Sequence, residues 1–192
     1  MAEYGLYEFW KIHYKEARAE FSEEGLRPVM IMDMGAATTK LYVIERGIIR
    51  TSHTINRGSQ DITSNISKSL NMTPEQAEVM KREVGISGDD KSVNDIITLV
   101  LDYIFAEANT ALLDYEQRYN KTVSKTILVG GGAALKGLLE MAKANFKTEA
   151  ELAAPFSKVL TPAFLEKILH ETGPEFAVAI GLALRKLAEE EE

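Results

Sequence analysis

The chain has 192 residues, enough for one sizeable core, with 45% hydrophobic and 27% charged residues, an ordinary globular balance that excludes a disordered chain. A net charge of -7 gives no general attraction for nucleic acid or an anionic membrane surface. There is no cysteine, so disulfide and thiol chemistry are excluded and a reducing compartment is permitted.

In chain order, Leu6 to Phe21 carries apolar side chains at Phe9, Ile12, Ala17 and Phe21, an amphipathic helical pattern that Gly25 and Pro28 end. This opening stretch lacks the apolar centre of a signal peptide. Trp10, Phe9 and Tyr14 form an aromatic patch, core by default and a partner surface if left uncovered. Three strand-like runs follow, Val29 to Met32, Lys40 to Glu45 and Ile48 to Ile55, the last two joined by a hairpin at Arg46 and Gly47. Between the first two, Asp33 and Gly35 mark a tight polar turn followed by Thr38 and Thr39. Glycine allows close backbone approach, successive amides and hydroxyls suit a phosphate, and an aspartate suits hydrated magnesium. An ordinary hairpin turn is the plainer reading of this stretch taken alone.

Gly58 and Ser59 open a helix carrying Ile62, Ile66 and Leu70, with Ser59 as the expected cap. Thr73, Pro74, Glu75 and Gln76 form a capping box with proline at the first helical position, starting a second helix that ends at Gly85. A third runs from Val93 to Tyr119 with an apolar stripe. Its most apolar part, Ile96 to Leu113, is interrupted by Asp102, Glu107 and Asn109, against a membrane span. A short strand, Thr126 to Val129, meets Gly130, Gly131 and Gly132 before a helix with Leu135, Leu138 and Leu139. An edge strand between Glu149 and Leu160, a helix from Pro162 to Leu169 and a last helix from Phe176 to Leu187 complete the chain. In that last helix Gly181 costs roughly 1 kcal/mol against alanine unless close packing compensates.

The glycine run is not a P-loop, because Lys136 and Gly137 stand in the wrong order with no hydroxyl residue following. Nor is it a dinucleotide fingerprint, because Leu135 stands where glycine or alanine is needed and the upstream meander does not fit an all-parallel sheet. His13, His53 and His170 have no ligand spacing with acids. No nucleophile elbow is present, and no catalytic residue is assigned.

The order three strands, helices, strand, glycine turn, helix, strand, helix resembles one lobe of the actin-like, ribonuclease H-like fold, βββαβαβα, with a mixed sheet flanked by helices. DMGAATT resembles that superfamily's phosphate motif, with Asp33, Gly35 and Thr39 on the matching positions. ILVGGGAALKGL resembles its adenosine motif. With NRGSQDITSNIS and PEQAEVMKREVG, these stretches resemble the PilM family of type IV pilus assembly, related to the division protein FtsA, over Pro28 to Leu187 and in that family's second half.

The resemblance implies one lobe over residues 1–192. Residues 1–26 would be a connecting helix and about 58–120 a helical subdomain inserted between the third and fourth strands. It implies ATP and magnesium as ligands. Asp33 would hold magnesium through water, Gly35, Ala36, Thr38 and Thr39 would cradle a phosphate, and Gly130, Gly131 and Gly132 would lie against the nucleoside with Glu78 and Lys81. Glu78 and Lys81 read equally as a solvated helical pair. Lys40 is expected to face solvent. The family usually has two glycines where Gly58 and Ser59 stand, so the helix entry is expected to differ.

As to role, the resemblance implies a cytoplasmic scaffold with a PilN-like pilus assembly partner, held mainly by the other lobe, so that this contact is open here. The implied location leaves room for peripheral attachment at the inner membrane face through a partner, without insertion and without nucleic acid. Only one phosphate motif is visible, half of the expected clamp. Weak or no nucleotide binding and negligible ATPase are therefore expected of the chain alone. An interaction module without nucleotide, and a fragment of another ATPase or kinase of the superfamily, remain the alternatives.

Overall fold

The computed structural model describes residues 27–159 and 161–190. The expected helix at Leu6 to Phe21 and its aromatic patch lie outside them. Three strands open the described chain: β1 (Val29–Met34), β2 (Thr39–Glu45) and β3 (Ile48–Ile55). Next come α1 (Ser59–Leu70), α2 (Pro74–Val84) and α3 (Lys91–Tyr119). β4 (Lys125–Val129), a 3-10 turn (Gly131–Ala134), α4 (Leu138–Asn145) and β5 (Glu149–Leu152) follow. Two further 3-10 turns, Pro155–Lys158 and Ala163–Leu165, lead to α5 (Glu166–Glu190).

The strands form one mixed sheet in the order β3-β2-β1-β4-β5. β1 pairs antiparallel with β2, β2 antiparallel with β3, while β1–β4 and β4–β5 are parallel. Side chains alternate across β1. Met30, Met32 and Met34 enter one core with α1–α4, and Val29 and Ile31 enter another that includes Ala177 of α5. A strand buried on both faces has no polar side, which is why Val29 to Met32 reads as an unbroken apolar run. Arg46 and Gly47 both adopt positive φ, 52° and 72°, as a two-residue hairpin requires.

Four boundaries differ from the sequence reading. β1 continues through Asp33 to Met34, because Asp33 pairs with Lys40 on one side and Val129 on the other. Gly58, not Ser59, caps α1; its amide donates to the Asp61 carboxylate at 2.9 Å, so the box closes through Asp61. The glycine run enters a 3-10 turn, and α4 begins only at Leu138. The two helices expected after Pro162 are one, α5, with Pro174 inside it. The Gly173–Pro174 pair reads as a break, yet both residues are buried and the Pro174 carbonyl accepts the Gly130 amide at 2.9 Å, so tertiary contact carries the helix across it. Gly181 is buried, as close packing demands.

By length and composition α3 is apolar enough to cross a membrane. Its apolar stripe is spent in the protein core instead: Val93, Ile97, Leu101, Ile104, Phe105, Ala108 and Leu112 are all buried.

Candidate functional site

β1 and β4 are adjacent and parallel, so the turns that follow them emerge side by side at the carboxyl end of the sheet, where open α/β sheets place ligands. The β1–β2 turn is Gly35 to Thr38, closed by the Gly35 amide on the Thr38 carbonyl at 3.0 Å. The start of α1 is bound to it. The Ser59 amide donates to the Gly35 carbonyl at 3.0 Å and the Gln60 amide to the Ala36 carbonyl at 2.9 Å. A Cβ on Gly58 would lie 2.4 Å from the Ala36 oxygen, so only glycine permits this approach. The β4 turn is equally tight. Gly130 has φ +87°, a Cβ there would meet Asp33 Oδ1 at 2.5 Å, and one on Gly132 would meet Met34 Cγ at 2.4 Å.

Beside these turns lies a cleft of about 480 Å³. Ala36, Gly131, Gly132, Glu78 and Lys81 line it, so one cavity gathers residues from three distant stretches of sequence. Asp33, Gly35, Thr38, Thr39 and Gly130 belong to the two turns and their strand ends and are not among the residues that line the cleft. Asp33 is half-buried against Gly130, and burial pushes its carboxyl up despite the opposing charge of Lys40. Two of the expected phosphate donors are already engaged. The Thr39 hydroxyl is fully buried and donates to the Arg57 carbonyl at 2.9 Å, and the Gly35 amide closes its own turn. Through these bonds the two residues hold the turn in shape. The amides of Ala36, Ala37 and Thr38, and the Thr38 hydroxyl, donate to nothing among the described residues.

Glu78 and Lys81 are not a solvated pair. Lys81 is 6% exposed and its ammonium donates to Glu78 Oε2 at 2.7 Å, Thr63 Oγ1 at 3.0 Å and the Ser59 carbonyl at 3.2 Å. Its three donors are used, so it fixes Glu78 and joins α2 to α1. Glu78 also accepts from Thr63 Oγ1 at 2.6 Å and Arg82 Nε at 2.8 Å. Burial works to raise its pKa, but the hydrogen bonds from Lys81, Thr63 and Arg82 outweigh it and hold the carboxyl down at about 2, against an ordinary 4.5. A carboxyl depressed in the folded state stabilises the fold above its unfolded pKa and loses that contribution as pH falls. Glu78→Gln is therefore expected to flatten the stability profile between pH 4.5 and about 2, measured by urea unfolding at several pH values. Because the side chain keeps 35% of its surface exposed, screening limits the difference to about 1 kcal/mol.

Sequence reasoning missed Ser59, Arg82, Leu135, Lys136 and Glu175, which also line the cleft. Arg82 follows Lys81 by one residue and carried a signal; Glu175 reaches the site because α5 is bound to the β4 turn through the Pro174 carbonyl and the Gly130 amide. Lys136 anchors the far end, its ammonium donating to the Glu83 carbonyl at 2.8 Å while its own carbonyl accepts the Ile86 amide at 2.9 Å.

The sheet, its carboxyl-end turns and the inserted helices define an actin-like lobe. Such a fold is seen in MreB5 of Spiroplasma citri bound to AMPPNP, to which the chain is similar with a TM-score of 0.66 and 14% identity, covering 97% of this chain and 59% of that one. The structure of a PilM-PilN type IV pilus biogenesis complex is similar at a TM-score of 0.76 and 28% identity, over 92% of this chain and 50% of that one. Cell division protein FtsA of Bacillus subtilis (strain 168) is 24% identical over 148 residues, 66% of this chain and 34% of FtsA. The family of type IV pilus assembly protein PilM matches residues 13–187. The chain belongs to that family. It spans about half of the similar PilM chain and about a third of FtsA.

Proposed function

We propose that the cleft binds an adenine nucleotide with magnesium, and that the chain is the nucleotide lobe of a PilM-like cytoplasmic scaffold for type IV pilus assembly. The observation that carries the reading is the convergence of the β1 turn, the β4 glycine turn and the Glu78 network on one cavity. Ala36 and Thr38 would meet the phosphates through free amides and the Thr38 hydroxyl. Gly131 and Gly132 would lie along the nucleoside, and Glu78, held ionised by Lys81 and Arg82, would accept from ribose hydroxyls. Gly35, Thr39 and Gly130 would act by shaping the two turns.

The magnesium assignment fits the chemistry of Asp33. A carboxylate left partly desolvated gains from a cation, and magnesium keeps several waters through which one carboxylate suffices. The reading is of binding and not turnover, since phosphoryl transfer needs positioning and charge from several sides and the residues named here supply one. A PilN-like partner is the natural counterpart, because the similar PilM structure is of a complex with PilN.

Gly131 supplies the test. A Cβ there meets nothing within 4 Å, so the side chain of Gly131→Val starts in open space beside the cleft. The variant's stability is expected to stay within about 0.5 kcal/mol of wild type. Magnesium-ATP titrated into the wild-type chain should shift the amide resonances of Ala36, Lys81, Gly131 and Gly132, with weak affinity, and the variant should lose the response. At a hundredfold excess over its dissociation constant the nucleotide would stabilise the wild type by about 2.7 kcal/mol. Absence of shifts at those amides, or identical shifts in the variant, would favour an interaction module without nucleotide. Micromolar affinity would show that one lobe alone suffices.

A further inference from the structure

Far from the nucleotide cleft in chemistry, one border of the sheet is built to accept another strand. Among the described residues β3 is the edge strand and runs eight residues, whereas β5 at the other edge has four and is soon followed by Pro155. Its sequence, IIRTSHTI, is rich in β-branched residues and has no proline or lysine, the usual guards of an exposed edge. Most of its residues are exposed.

α3 lies antiparallel beside this strand. The Tyr119 hydroxyl donates to the Arg50 carbonyl at 3.3 Å, His53 stands 3.9 Å from Glu107, and Arg57 lies over the Tyr103 ring at 5.7 Å. Their contacts span about 24 Å of helix from Tyr103 to Tyr119 and about 23 Å of extended chain from Arg50 to Arg57, two residues beyond the end of β3. Between them is a cavity of about 270 Å³ with an apolar floor at Leu41, Val43 and Leu112 and a polar rim at Thr51, His53 and Arg118.

We infer that β3 and α3 form a docking site for an extended segment of a partner protein, which adds to the sheet as a sixth strand and places an aliphatic side chain in the cavity. The occupant follows from two chemistries. Only an extended backbone satisfies a row of edge amides and carbonyls, and a cavity beside the edge reads alternate side chains of the added strand. Charge narrows the choice further. Arg118 has no ion-pair partner among the described residues, so an acidic side chain near the anchor is its complement, and Asp114 one turn back limits that complement to a single acid. A second copy of the chain would bring a second Arg118 and a further net charge of -7 to the same place.

The experiment uses the 192-residue chain and a phage-displayed library of eight-residue peptides, with selected sequences synthesised. Selected peptides are expected to carry an aliphatic residue and an acid, and to slow hydrogen exchange of the amides from Thr51 to Thr54 by at least about tenfold. Thr51→Phe, which fills the cavity mouth, should weaken binding about tenfold or more. Arg118→Ala, at an exposed helical position, should weaken binding about tenfold for the acidic peptide and leave its alanine analogue unchanged. Three results would each overturn the inference: no peptide selected, protection confined to residues outside β3, or an edge closed by self-association of the chain in light scattering.

Discussion

Gly58→Ala is expected to destabilise the protein by about 2–3 kcal/mol, although it adds a single methyl group to a residue at the start of a helix. The added Cβ would lie 2.4 Å from the Ala36 oxygen and 2.7 Å from the Gly35 oxygen, and both neighbours are backbone. The β1 turn must then retreat from α1, stretching the Ser59 and Gln60 amide bonds to those two carbonyls. Each such bond contributes about 1 kcal/mol net. For a chain of this length the loss corresponds to a fall in Tm of roughly 4–12 °C. Urea unfolding should show a lower midpoint at unchanged slope, and hydrogen exchange should rise at Ser59 and Gln60. An unaltered midpoint would mean that the turn and α1 are not clamped as described. The same variant displaces Ala36 from the cleft, so a nucleotide response, where present in the wild type, should weaken with it.

Phe105→Ala should cost more, about 3–5 kcal/mol, the usual range for removing a buried aromatic ring. Phe105 is 1% exposed and meets Phe146 edge to face, with ring centroids 5.1 Å apart at 67°. It joins the middle of α3 to the end of α4, and a cavity left there has α3 on one side and the α4–β5 connection on the other. Leu99, six residues earlier on the same helix, is 71% exposed. Leu99→Ala is therefore expected to change stability by no more than about 0.5 kcal/mol. Equal losses from the two variants, read by chemical denaturation, would contradict the packing of α3.

These two residues mark different limits of what a sequence shows. Phe105 belongs to an apolar stripe at helical spacing, and its burial was legible from the pattern alone. Gly58 was read as part of a helix entry with Ser59 as the cap. The actual cap geometry depends on Ala36, more than twenty residues away, and no local pattern records that contact. Lys81 shows the same limit. Spacing allowed a solvated pair with Glu78, whereas the fold closes Ser59 and Thr63 of α1 over it and buries the ammonium. Thr39 and Gly35 matched the phosphate motif by position, but their donors turn inward, because the tight turn must satisfy its own backbone first.

The sequence by itself determined the elements and their order: a meander, inserted helices, a strand with its glycine turn, and a family likeness strong enough to name PilM. Those features are local, set by periodicity, caps and turn chemistry over a few residues. Only the tertiary structure decided which side chains share a cavity, which hydroxyls are engaged and which strand forms the sheet edge among the described residues. Those outcomes depend on parallel register between β1 and β4, on α1 and α2 folding back over the first turn, and on α3 lying beside β3, all of them relations between segments far apart in the chain.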